Sequence, residues 1–375
     1  MNTSTPKLRN SNLELYRIIC MVMIVAYHYM ANSGLAAEDG PVVNNPLSAN
    51  SMYLACFGAW GKVGINCFLM ITGYYMCTSS ITFRKFLKLI LQIYLYRFVL
   101  FFIFLVTGYE YCSLKRAVML LLPDSGLGSG NFVSCFLVFW LTIPFLNILI
   151  HGLNKRQHEL LIVLSLFVFS FLGSVPKFEV PLNYITWFGI IYFIASYIRL
   201  YPSRIFDRKK LWGWLTLLTL LMSLASIAGM QYLFGGRGIE YSFFFVDDCN
   251  KILAVLFAFC SFLWFKNLNL KYSKVINAFG AGTFGVLLIH ANSSAMRTWL
   301  WEDTVNCVGH YSLPLGHLAL FSIGVVLAIF IICNLIDQLR IATLEKWFFK
   351  WYDNSFSDRM ETLICKLIKG KHNND

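Results

Sequence analysis

A glutamate, an arginine and a histidine interrupt the first long apolar stretch of this chain, at Glu14, Arg17 and His28. His28 follows Arg17 by eleven positions. At about 100° and about 1.5 Å per residue that step closes nearly three helical turns and climbs about 16 Å, so a helix stacks the two side chains on one face at different depths. An imidazole takes and returns a proton near neutral pH better than any other side chain. The pair suits a reaction in which one reactant arrives beside the fixed cation, another from the opposite end, and a titratable base stands between them. Plainer roles stay open: a histidine that only packs, an arginine that snorkels toward headgroups, and a glutamate that pairs with it at i, i+3.

The second apolar stretch carries Gly58, Gly61, Gly64 and Gly73 around Lys62. Small residues let helices or ligands come close to the backbone, and Lys62 is either an interior charge or a side chain reaching an interface. Directly after it, Arg84, Lys85 and Lys88 form a basic cluster able to hold a polyanion, or simply a positively charged loop. The eleven cysteines are scattered, with no CxxC pair and no zinc-type Cys/His spacing, so no metal site is expected.

The elements that position these groups follow from composition. Of 375 residues, 58% are hydrophobic and only 13% charged, against about a quarter charged in soluble domains, and the mean hydropathy is +0.62. An ordinary soluble enzyme is excluded. A helix crossing the hydrocarbon core needs about 20 apolar residues, and apolar stretches lie near 13–33, 53–77, 86–108, 131–150, 160–174, 183–200, 211–233, 246–265, 275–295 and 313–336. The expectation is an all-α integral membrane protein of about ten transmembrane helices. The first stretch has span length and no small-residue cleavage pattern, so it reads as a retained signal anchor.

The net charge of +12 could suggest nucleic acid, but its placement argues otherwise. With ten spans, 22 of the 31 Lys and Arg residues fall on the side of the N-terminus, among them Lys7, Arg9, Lys155, Arg156 and the cluster Arg204, Arg208, Lys209 and Lys210. Short cytoplasmic loops are enriched in these residues, so both termini are expected in the cytoplasm, membrane lipids are the expected contact, and nucleic acid is not. One membrane domain covers 1–336. A tail, 337–375, mixes Trp347, Phe348, Phe349, Trp351 and Tyr352 with Lys346 and Lys350, as expected of an amphipathic, basic anchor at a lipid surface. The connection 109–131, apolar at 117–122 and then carrying Gly126, Gly128 and Gly130, reads as re-entrant or interfacial.

The run ELYRIICMVMIVAYH (14–28), followed by GKVGINCFLMITGYYM (61–76), resembles the opening of the acyltransferase type 3 family of bacterial membrane-integral O-acyltransferases. The resemblance continues in order through WLTIPFLNILI (140–150), YFIASYIRLYP (192–202) and TFGVLLIH (283–290). The most specific marks are the arginine and histidine with ten residues between them and the TGY run.

The resemblance implies a bacterial cytoplasmic membrane enzyme with acetyl-CoA or another short acyl-CoA as donor substrate, no permanently bound cofactor, and a surface or lipid-linked glycan as acceptor. It implies a catalytic set of His28, Arg17 and Glu14, with donor phosphates at Arg17, Arg84, Lys85 and Lys88. Lys85 and Lys88 stand where the family has arginines, and a lysine cannot make a bidentate phosphate contact. Asn66 stands where many members have a carboxylate. On the acceptor side the candidates are Asp247 and Asp248, at a span entrance and able to bond sugar hydroxyls or merely to mark a polar helix end, and His290, which matches a frequent family position. His28 is open between a general base and a transient acyl carrier. The sequence does not read as carrying the extracytoplasmic hydrolase-like domain that some members of the family append, so transfer is expected to finish in the membrane domain or on a partner. The acceptor's identity and the oligomeric state are not legible. A transporter or flippase for lipid-linked sugars shares the interior charges and stands as the alternative.

Overall fold

The computed structural model describes residues 9–79, 81–121, 131–178 and 180–355. Among them there is no strand, and each of the ten apolar stretches contains helix. Seven helices are long and apolar enough to cross a membrane, and an eighth candidate is a pair, Lys274–His290 and Ser294–Thr304, bent by 99°. Two further apolar helices, Tyr184–Leu200 and Ile252–Lys266, are shorter.

The helices that build the site are α1 (Ser11–Ala31), α2 (Ala49–Gly58), α3 (Gly61–Met76), α4 (Phe83–Val106), α5 (Phe132–Gly152), α6 (Tyr184–Leu200), α7 (Ile252–Lys266), α8 (Lys274–Ala281), α9 (Thr283–His290), α10 (Leu315–Arg340) and α11 (Lys346–Ser355). The first of them, α1, is the hub and packs against α2, α3, α7, α8, α9 and α10. Its start is tied down by side chains. Asn10 caps the helix by accepting from the Asn12 N–H at 2.9 Å, and the Ser11 hydroxyl accepts from the Ser273 N–H and from Asn277, each at 3.0 Å. One orphan donor of the first turn is thereby satisfied locally, while the hydroxyl beside it accepts from a segment distant in sequence.

Close approach of α1 and α3 depends on glycine. A Cβ at Gly64 would stand 2.9 Å from Ile24 Cγ1 and 3.0 Å from the Cys20 carbonyl, so any side chain there would push the helices apart. This is what small residues do between membrane helices.

At its end, α10 runs through the charged residues Asp337 and Arg340 rather than stopping before them. Asp337 is fully buried and accepts from Tyr96 Oη at 2.7 Å, Gln92 Nε2 at 3.2 Å and Arg340 Nε at 2.7 Å. A buried carboxylate survives when its lone pairs are used and a cation faces it. Beyond Glu345 the chain continues as α11. The rest of the expected tail, from residue 356, lies outside the described residues, as do Lys7 and the glycine-rich segment with Gly126 and Gly128. Before that segment, Leu114–Leu121 forms a short helix whose final carbonyls accept from Tyr94 and Arg97 of α4.

Candidate active site

A cavity of about 280 Å³ opens between α1, α3, α4, α5, α6 and the α9 end, lined among others by His28, Lys62, Arg97, Tyr184, Asn292 and Arg297. It lies toward the C-terminal end of α1. Arg17, Glu14 and the Arg84 cluster are not in its wall. Among the described residues that line it there is no carboxylate.

His28 is half-buried in that wall. Its Nδ1 lies 2.9 Å from Nε2 of His290, with ring centroids 5.1 Å apart. His290 is fully buried, and its own Nδ1 lies 2.6 Å from the Val286 carbonyl one turn back along α9. Nε2 of His28 makes no hydrogen bond among the described residues. The first helix and the ninth thus converge on a pair of imidazoles at the cavity wall.

The other acceptor-side candidates sit one layer behind it. Asp248 accepts from Tyr184 Oη at 3.1 Å and from the Cys249 N–H at 2.8 Å, and lies 3.9 Å from Lys62 Nζ. Lys62 also contacts the Tyr184 hydroxyl. Lys62 and Tyr184 face the cavity, and the carboxylate orients them. Asp247 is in the same loop, where burial and then the charge of Asp248 push its carboxyl up to about 6.

The donor-side candidates lie at the opposite end of α1. Arg17 is 3.9 Å from Glu14 and 6.0 Å from the centre of the Phe68 ring, and its Nε is buried with no hydrogen-bond partner. Glu14 is almost fully buried, 3.6 Å from Arg9 and pressed against Gly280. Arg84 makes a two-point pair with Asp353 of α11, both contacts at 3.0 Å, and stacks 4.5 Å from the Phe349 ring centre. Lys88 pairs with Glu345, which also accepts from Arg340 at 2.7 Å. Lys85 donates to Ser79 at 2.9 Å. Arg84 and Lys88 are therefore engaged by acids that follow α10.

Asn66 has a different use. Its amide accepts from the Trp187 indole at 2.9 Å and donates to the Cys249 carbonyl at 2.6 Å, joining α3, α6 and the loop before α7. Among the described residues, no group of three or more His, Cys, Asp or Glu side chains is placed to hold a metal ion.

Sequence reasoning missed Arg97 and Arg297. Arg97 was detectable, because an ionisable residue in the middle of a span-length helix is a site candidate by default. Nothing local marks Arg297, which reaches the cavity only because the chain bends sharply after His290.

The helical bundle thus encloses a cavity with His28 in its wall. The chain belongs to the acyltransferase type 3 family: the model of that family, an acyltransferase domain, matches residues 10–334. It is an acyltransferase-family, multi-pass membrane protein. Neither the curated proteins nor the solved structures compared with it yield a match.

Proposed function

We propose that this protein is a membrane O-acyltransferase that moves a short acyl group, acetyl in the simplest case, from acyl-CoA to a hydroxyl of a surface or lipid-linked glycan in a bacterial cytoplasmic membrane. The observation that carries the reading is His28, whose imidazole stands in a cavity wall with one nitrogen hydrogen-bonded to a buried partner and the other unused. The basic end of the bundle, with Arg17, Arg84, Lys85 and Lys88, suits the donor phosphates. To meet a phosphate there, Arg84 and Lys88 exchange Asp353 and Glu345 for it. The thioester then extends along α1 toward His28.

In the simplest chemistry His28 removes the proton of the acceptor hydroxyl as its oxygen bonds to the acyl carbon. The carbon–sulfur bond breaks, and the leaving thiolate takes up the proton that the imidazole holds. Lys62, Tyr184 and Asn292 offer hydrogen bonds to the sugar and to the developing oxyanion.

The test is release of free CoA from acetyl-CoA and other short acyl-CoAs by purified protein, with and without glycan extracts. Release that needs the extract is expected, and His28→Ala should lower it by at least about 10²-fold, the usual worth of general acid–base catalysis, in protein that remains folded. No release from folded wild-type protein with any short acyl-CoA would favour a transporter of lipid-linked sugars instead.

A further inference from the structure

We infer that His290 sets the tautomer of His28, so that a helix carbonyl decides which imidazole nitrogen is the base. A carbonyl oxygen only accepts, so the 2.6 Å contact to Val286 places the proton of His290 on Nδ1. A neutral imidazole carries one N–H, which leaves Nε2 of His290 as a lone pair aimed at Nδ1 of His28, 2.9 Å away. Two ring nitrogens at that distance share one proton, and it sits on His28. The Nε2 atom of neutral His28 is then unprotonated and basic, and it is the nitrogen with no hydrogen bond among the described residues.

The order is substrate hydroxyl, His28, His290, carbonyl. It matches the way a third group orients the base in nucleophile–base–orienter triads, with a neutral imidazole in the place of a carboxylate. When His28 takes the hydroxyl proton at Nε2, the bond from its Nδ1–H to His290 becomes charge-assisted and strengthens. No proton moves onto His290, whose Nδ1–H stays on Val286. His290 is a positioning residue: it touches neither acceptor nor donor and works through His28. Burial makes the arrangement one-way, because His290 is fully enclosed and its contact with Val286 lies within one turn of α9.

The inference rests on the reading of His28 as the working base, and its first test does not need enzymatic turnover. In protein labelled with ¹⁵N-histidine, with the His28 signals assigned by their loss in His28→Gln, the wild type should show His28 protonated at Nδ1 and bare at Nε2. In His290→Leu the His28 signals should move toward the Nε2-protonated form. An Nε2-protonated His28 in the wild type would overturn the proposal.

The second test is kinetic. His290→Leu, shown folded by an unchanged melting temperature, should lose about 10²-fold or more in kcat, in the range that a misdirected catalytic imidazole costs, while KM for acyl-CoA stays within a few-fold. His290→Gln, whose amide oxygen can still accept from Nδ1–H, should recover part of that rate. Wild-type kcat in the leucine variant, or a glutamine variant no better than leucine, would sink the idea. If the leucine variant does not fold, the glutamine variant and the wild-type spectrum still decide. Wild-type tautomer signals from a protein without acyl-CoA turnover would discredit the acyltransferase reading and leave the tautomer assignment standing.

Discussion

At the scale of single residues, the place of His28 on α1 was legible and its ring partner was not. The eleven-residue step from Arg17 to His28 has a geometric meaning in any helix, so one chain segment suffices to place them on one face. His290 lies 262 residues from its partner, and no periodicity connects them. Its place at the end of TFGVLLIH came only from resemblance. For Asp247, burial adds a property that residue type alone does not show. The Asp247 carboxyl, pushed up to about 6 by burial and by Asp248, stands above an unfolded aspartate at about 3.9. Between about pH 4 and 6 the folded state therefore binds more protons than the unfolded one, and stability rises as pH falls through that window. Melting temperatures of wild type and Asp247→Asn, compared at pH 7 and pH 5, should show wild type gaining on the variant at the lower pH. A difference that does not change with pH would contradict this.

At the scale of elements, positions were readable and ends were not. Apolar length locates α1, α4 and α10, because only a span-length apolar run needs such a helix. The end of α10 was not readable, since Asp337 and Arg340 look like the start of a polar tail until Tyr96 and Gln92 of α4 are seen to bond the carboxylate. The contact of α1 with α3 is a testable joint. Gly64→Val adds carbon where 2.9 Å is free and should cost about 1–3 kcal/mol, as overpacking does. The loss would appear as a lower melting temperature in detergent. An unchanged melt would mean that the two helices separate freely.

At the scale of the whole molecule, the family and the helical class were legible from composition and from motifs in order along the chain. The cavity was not, because its wall draws on helices from both ends of the chain, and which faces meet is decided by packing rather than by any local pattern. The same holds for the link between α11 and α4. Asp353 and Arg84 lie 269 residues apart, and each is about half exposed. If the basic cluster receives donor phosphates, Asp353→Asn removes a competitor for Arg84. KM for acyl-CoA should then fall by up to about fivefold, the worth of an exposed ion pair of at most about 1 kcal/mol, with kcat unchanged. A raised KM would show that the pair supports the donor site instead.

The imidazole pair also has a bearing on biogenesis. His28 belongs to the first helix to be made and His290 to one of the last, so a chain still on the ribosome, or one clipped in its final third, holds a histidine whose ring is free to turn. A fragment that ends before Val286 has no carbonyl there to dictate where the proton sits. The pair exists only once α9 has closed on α1, so on the proposed reading the orientation of the base waits for the late helices.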